Sequence, residues 1–223
     1  MKYFYQGKFE PEKLHPLNID RQTISLVPEG CRVLEIGCAD GFMGEYLIRQ
    51  KKCHVVGVEI DKKASVLARK KGLQVINGDI ENYRIYQKLK KYKRFKLILA
   101  SSVIEHLKNP LVCLQQWVNL IEPGGFLVVT VPNSVHWSAR LKIILGKFEY
   151  EKYGIFDENH LHFFTKSTFS KLLDNAGYEI VYFSFDPVSG GFPKISLFLS
   201  KFFPNLFSYQ FLFKAKVKNE KNF

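Results

Sequence analysis

The sequence predicts a doubly wound α/β domain, and three observations carry the prediction. Five short apolar runs rich in β-branched residues recur along the first 132 residues, helical patterns separate them, and within each run the hydrophobicity is continuous rather than alternating. Continuous runs mark strands covered on both faces. Strand–helix repetition then gives a parallel sheet with helices on both sides.

In chain order the strands are RVLEIG (32–37), HVVGVEI (54–60), LQVIN (73–77), FKLILAS (95–101) and GFLVVTVP (125–132). Helix patterns fill the gaps at 43–51, 62–71, 82–89 and 110–121. After residue 132 the rhythm changes. A loop-rich stretch, 133–165, precedes a helix at 166–175 closed by Gly177, a strand YEIVYFSF (178–185), a Pro/Gly-rich turn and an apolar final segment containing FSYQFLFKAK. Neither an internal repeat nor a low-complexity tract is visible. A chain of 223 residues suits one well-cored domain, with 1–30 as a helical or loop cover and 133–165 as a cap.

Composition excludes several classes. Cys31, Cys38, Cys53 and Cys113 fit neither a metal knuckle nor a disulfide framework, so they read as small apolar residues in a reducing compartment, with the cytoplasm expected. The opening MKYFYQGKFEPEKLHP lacks the apolar core of a signal peptide. The longest greasy stretch, 192–213, is broken by Lys194, Lys201, Pro204 and Asn205, which argues against a spanning helix. The net charge is +12, concentrated in YQKLKKYKRFK (86–96) and in the tail from Phe192. The first cluster enters strand four from its amino end and is expected on the rim away from any ligand. A solvated face explains most such excess, and a phosphorylated substrate, a membrane surface or RNA are the other partners it suits.

Ligands of such sheets bind beyond the carboxyl ends of the strands, where the strand order reverses. The turns after strands one to five share that rim, and the first of them, Gly37-Cys-Ala39-Asp-Gly41, lets a ligand approach the backbone. A dinucleotide fingerprint would need a small residue at position 42, where Phe42 stands, so a redox dinucleotide is disfavoured.

The spacing acid-x-Gly-x-Gly-x-Gly is met as Glu35-Ile-Gly37-Cys-Ala39-Asp-Gly41, with Ala39 in place of the middle glycine. With Glu59 ending strand two, Asp79 in NGDI after strand three and EPGGFLVVTVPN leading through strand five, the chain resembles the class I S-adenosylmethionine-dependent methyltransferases. The resemblance implies a Rossmann-like sheet of about seven strands, mostly parallel with the last antiparallel, and a small cap after strand five. It implies S-adenosylmethionine as cofactor and S-adenosylhomocysteine as product. Glu35, Gly37, Ala39 and Gly41 would surround the methionine portion, Glu59 with Ile60 the ribose, Asp79 and Ile80 the adenine, and Ser101 the end of strand four. Acids suit a sulfonium with a free ammonium and no phosphates.

SSVIEHLKNP (101–110) and YGIFDENHLHFFTKSTFSKLLDNAGYEI (153–180) are similar to the branch holding ubiquinone-pathway O-methyltransferases and relatives from bacterial glycan and cell-envelope biosynthesis. The expected activity is therefore methyl transfer, to oxygen, on a small molecule or a glycan- or lipid-linked intermediate. Some of that branch bind a metal through Glu-x-x-Glu-His; here the motif reads Ser102-Val-Ile-Glu105-His106, and without its first carboxylate no metal is expected.

A hydroxyl acceptor benefits from a base near its proton. His160 is the first candidate, His106 the second, and Asp157 an orienter; if HLHFF is extended, His160 and His162 point the same way. A structural histidine is the bland alternative for each. Aromatic and basic residues of the cap suit a sugar or an aromatic ring with a phosphate or carboxylate, and equally RNA, while SARLKIILGKF and the phenylalanine-rich tail could lie on a membrane. An RNA or other nucleic-acid methyltransferase and a non-catalytic cofactor-binding module are the rival classes.

Overall fold

The computed structural model describes residues 8–188 and 193–218. Five strands, β1 (Arg32–Ile36), β2 (His54–Glu59), β3 (Gln74–Asn77), β4 (Phe95–Ser101) and β5 (Ile121–Pro132), pair in parallel. β6 (Tyr178–Asp186) and β7 (Gln210–Val217) complete a seven-stranded sheet of order β3-β2-β1-β4-β5-β7-β6. β7 runs antiparallel to both of its neighbours, so the expected mostly parallel sheet with an antiparallel last strand is what forms.

The strands alternate between two cores, as residues two apart on a strand share a face. Val33, Val55, Leu97, Leu99 and Val128 face one layer, against α1 (Ile19–Ser25), α2 (Phe42–Arg49) and α3 (Lys62–Lys70). Leu34, Val56, Ile98 and Val129 face the other, against α4 (Tyr83–Leu89), α5 (Pro110–Val118) and α7 (Lys166–Asn175). Side-chain caps fix several helix starts: Asn18 accepts from the N–H groups of Asp20 and Arg21, Asp61 from those of Lys63 and Ala64, and Thr165 closes a reciprocal box with Thr168.

One boundary departs from expectation. Helical periodicity reaches Ile121, but α5 stops at Val118 and Ile121 already pairs with Phe95 as the first residue of β5. An apolar residue satisfies either period, and the sheet partner decides. Beyond β5, α6 (Trp137–Ile144) opens the cap. α8 (Pro193–Ser200) and α9 (Pro204–Phe207) lead back into β7. Among the described residues no helix is long and apolar enough to cross a membrane.

Candidate active site

A cavity of about 860 Å³ opens at the carboxyl ends of β1, β2 and β4. This is where the order reverses, β1 leading outward to β2 and β3 on one side and to β4 and β5 on the other. Glu35, Gly37, Ala39, Glu59, Ile60 and Ser101 line it, and so do His106, Asp157 and His160. The basic cluster at 86–96 does not.

The turn after β1 is built on positive backbone angles, φ +70° at Gly37, +47° at Ala39 and +80° at Gly41. The left-handed conformation costs an alanine about 1–2 kcal/mol, which is why glycine is usual there. Glu59 offsets that cost. Its Oε2 accepts the Ala39 N–H at 2.9 Å and its Oε1 accepts the Asp61 N–H at 2.8 Å, so one carboxylate fixes both the turn and the residue that caps α3. Charge-assisted bonds of this kind are the strong ones. Gly37 and Gly41 are also held by space: a Cβ on Gly37 would stand 2.6 Å from Val103 Cγ2, and one on Gly41 would stand 2.9 Å from the Ala68 Cα.

Beneath the turn lies an acidic cluster. Glu35 is 5% exposed and its Oε2 has no hydrogen-bond partner. Burial first, then the neighbouring Asp40 and Glu59, push its carboxyl up to about 8. Asp40 is paired with Lys71 at 2.8 Å and Glu59 is bonded to two backbone N–H groups, whereas Glu35 Oε2 has neither a cation nor a donor. This half of the cavity favours a cationic ligand.

Three residues expected to touch the cofactor stand outside the cavity lining. Gly41 is the left-handed N-cap of α2. Asp79 accepts from the Glu81 N–H in the turn after β3. The side chain of Ile80 is 7% exposed and packs in the core with Ile85. By contrast Ile60, at the end of β2, is 69% exposed at the cavity edge.

The opposite wall comes from β4 and the cap. After Ser101, whose hydroxyl meets that of Thr130 at 3.0 Å, the chain turns through Ser102 at φ +51° into a short 3-10 helix, Ile104–His106. The Glu105 carbonyl accepts the N–H groups of Leu161 (2.8 Å) and His162 (3.1 Å), which draws the cap onto this helix. His106 Nδ1 lies 2.9 Å from the Asn159 carbonyl and His160 Nδ1 lies 3.0 Å from the Ile155 carbonyl. A carbonyl only accepts, so each Nδ1 carries the proton and each Nε2 the lone pair. The two rings are 4.8 Å apart. Burial holds the His160 imidazole below its ordinary value.

Asp157 is buried and its Oδ1 accepts from the backbone and side-chain N–H groups of Asn159. Its carboxylate thus fixes Asn159, whose carbonyl meets His106, and its own carbonyl accepts the His160 backbone N–H at 3.0 Å. His162 is the conditional expectation that does not hold. HLHFF forms no strand, and the His162 ring stacks against Phe164 away from the cavity lining.

Glu105, which the sequence offered only as the remnant of an incomplete metal motif, turns out to be a buried group of the site. It is 1% exposed, both carboxylate oxygens lack partners, and burial first, then Asp157, raises its carboxyl to about 8. Glu105, His106 and His160 bring one ligand atom each within 4.8 Å of one another. Two imidazoles and a carboxylate are donors that a borderline divalent cation accepts, a set the sequence spacing of Glu105 and His106 alone does not show. Asn18, Tyr153, Tyr209 and Gln210 also line the cavity. The pairing of Gln210 with Pro132 and Asp186, and the Tyr209 backbone bonds to Asn133 and Asp186, bring the last two to this rim, where no local motif marks them.

Residues 11–182 match a family model described as Methyltransferase domain. The ubiquinone biosynthesis O-methyltransferase of Dinoroseobacter shibae is 27% identical over 192 residues, covering 78% of this chain and 76% of that protein. The protein of the same name from Xylella fastidiosa is 29% identical over 139 residues, and the match spans 55% of its length. Among solved structures, a SAM-dependent methyltransferase from Archaeoglobus fulgidus superposes with a TM-score of 0.63 at 18% identity, covering 88% of this chain and 90% of that one. One from Mesorhizobium loti gives 0.63 at 14% identity, covering 92% and 99%.

Proposed function

The chain belongs to the Methyltransferase domain family, and from that premise we propose that this S-adenosylmethionine-dependent enzyme methylates an oxygen of a small molecule or of a glycan- or lipid-linked biosynthetic intermediate. One observation carries the reading: a cavity with a carboxylate-rich glycine turn on one wall holds two histidines with their Nε2 lone pairs on the other.

The cofactor, when bound, supplies a methyl group on an electrophilic sulfonium. Glu35, Gly37 and Ala39 take its methionine portion, where the Glu35 carboxylate regains a cationic neighbour. Glu59 receives the ribose hydroxyls on lone pairs left over from its two backbone bonds, and Ser101 closes the end of β4. Gly41 acts through the turn it shapes. Asp79 is assigned the adenine amino group, with the backbone of Ile80. The face of the base falls to the exposed Ile60 rather than to the buried Ile80 side chain. His160 Nε2 accepts the acceptor's hydroxyl proton, His106 stands second, and Asp157 positions His106 through Asn159. Alignment of nucleophile, methyl and sulfur supplies most of the rate, and a base adds about 10²–10⁴-fold.

In this reading the chain is one catalytic domain with a cover at 1–30 and an acceptor-side cap at 133–165. It works in the cytoplasm and meets lipid-linked acceptors at the inner face of the membrane. Calorimetric titration with S-adenosylhomocysteine tests the cofactor half: wild type binds, and Glu59→Ala loses at least about tenfold in affinity as two charged hydrogen bonds go. A folded wild type that does not bind overturns the proposal. Phosphorylated sugars, quinone precursors and RNA then form the acceptor screen, in which a turnover confined to RNA would move the enzyme to the nucleic-acid class.

A further inference from the structure

α8 is reversed for a helix in water. Its serines point inward, Ser196 at 1% and Ser200 at 2% exposure, while Ile195 (57%) and Phe198 (63%) point outward and Phe202 (66%) continues the row one turn on. Residues 195, 198 and 202 have the spacing of a single helix face. The rings of Phe198 and Phe202 are 5.8 Å apart, so they pack on each other and not on the protein core. Exposed lysines, Lys194 and Lys201, flank the row, and no acid occurs between Lys194 and Phe207.

A second apolar surface rises from the same rim. The end of α6 leaves Ile143, Ile144 and Leu145 between 52% and 79% exposed, with Arg140, Lys147 and Lys152 exposed nearby. One residue joins the loop before α6 to the stretch that follows α8. Asn133 Nδ2 donates to the carbonyls of Asn205, in α9, at 2.8 Å and of Ser208 at 2.7 Å, just before α6 begins. The His136 ring meets Tyr209, a cavity residue, at 5.5 Å. Large exposed apolar patches mark interaction sites, and these flank the cavity wall.

We propose that the outward faces of α8 and of the end of α6 dock on an anionic lipid bilayer, which brings the rim of the cavity to the membrane surface. Apolar side chains framed by lysines match an interface of acyl chains under anionic headgroups. A helix of eight residues is far too short to span, and it lies in the interface instead. A second copy of the chain is the poorer partner, since each copy carries a net charge of +12 and brings the same lysines to the contact. The purpose of the docking rests on the proposed lipid-linked acceptor, but the docking is read without any methyl transfer.

The test is sedimentation of the full chain with vesicles of phosphatidylcholine alone and of phosphatidylcholine with phosphatidylglycerol, before and after Phe198→Ser/Phe202→Ser. Binding to the anionic vesicles is expected to exceed binding to the neutral ones, and the double variant is expected to lose about tenfold or more as two phenylalanines stop inserting. S-adenosylhomocysteine calorimetry on the same variant checks that it stays folded, and light scattering compares its size with that of the wild type. No binding to anionic vesicles overturns the proposal, as does binding that the double variant leaves intact, since charge alone would then explain it. A wild-type dimer that the variant dissolves assigns the patch to self-association and overturns it as well. Loss of vesicle binding with cofactor binding retained leaves the cofactor assignment untouched, so the two readings fail separately.

Discussion

The two walls of the cavity are made in opposite ways. On the β1–β2 side the Glu59 carboxylate is already bonded to two backbone N–H groups and the turn is fixed by positive φ at three residues. On the cap side the wall is made of side chains, two imidazoles held at Nδ1 by backbone carbonyls and a buried Glu105 whose oxygens have no partner. The backbone of the first wall is fixed before any ligand arrives, with Glu35 Oε2 its open group, whereas on the second wall both Glu105 oxygens stand open. In the proposed reading, a cofactor shared across many reactions tolerates a rigid backbone mould, whereas the acceptor meets side chains whose supports lie on a long loop segment.

The sharpest way to break this contrast is His160→Ala. If the cap side carries the proton chemistry, kcat falls by about 10²–10⁴ while S-adenosylhomocysteine affinity stays at the wild-type value. An equal loss in both would mean that the walls are not separable. The next test is conformational. Gly41→Ala, at φ +80° and 2.9 Å from the Ala68 Cα, should cost about 2–3 kcal/mol in denaturant unfolding, from strain and steric conflict together. Gly146→Ala in the cap, at φ +69° with nothing within 4 Å, should cost only the intrinsic left-handed penalty of about 1 kcal/mol. Equal costs would contradict the rigid mould.

A further effect is one of pH. In the unfolded chain Glu35 ionises near 4.5, but the folded protein holds the proton until about 8. The folded state therefore binds more protons in that window, and stability falls as pH rises through it. Thermal unfolding of Glu35→Gln should lose that part of the slope between pH 5 and 8, and added S-adenosylhomocysteine should reduce the slope in wild type by giving Glu35 a cationic neighbour. A slope unchanged in the variant would place the titration elsewhere.

Much of the first wall was legible from sequence because it is local. Glu35, Gly37 and Glu59 sit at strand ends or in a turn, and strand periodicity locates both. The twofold duty of Glu59 was not legible, since Ala39, unlike the neighbouring Asp61, is brought to it by the β1–β2 pairing. On the second wall the histidines stood out as residue types, but their grouping with Glu105 depends on the Glu105 carbonyl capturing residues 161 and 162. The same capture turned His162 aside. The reversed polarity of α8 is invisible to periodicity, which reads an apolar stripe without saying which side faces the protein.

The antiparallel insertion of β7 between β5 and β6 has a consequence for how the chain is made. β5 and β6 do not touch in the ladder, and both wait for a strand that comes after the cap, α7, β6, α8 and α9. A ribosome therefore releases the cofactor mould while the neighbouring half of the sheet still presents an open edge. Long-range strand pairing of this kind is slow and exposes aggregation-prone surface. Synthesis from the N-terminus thus finishes the β1–β2 turn long before Tyr209 and Gln210 arrive to complete the cavity, so the site is finished only when the sheet closes.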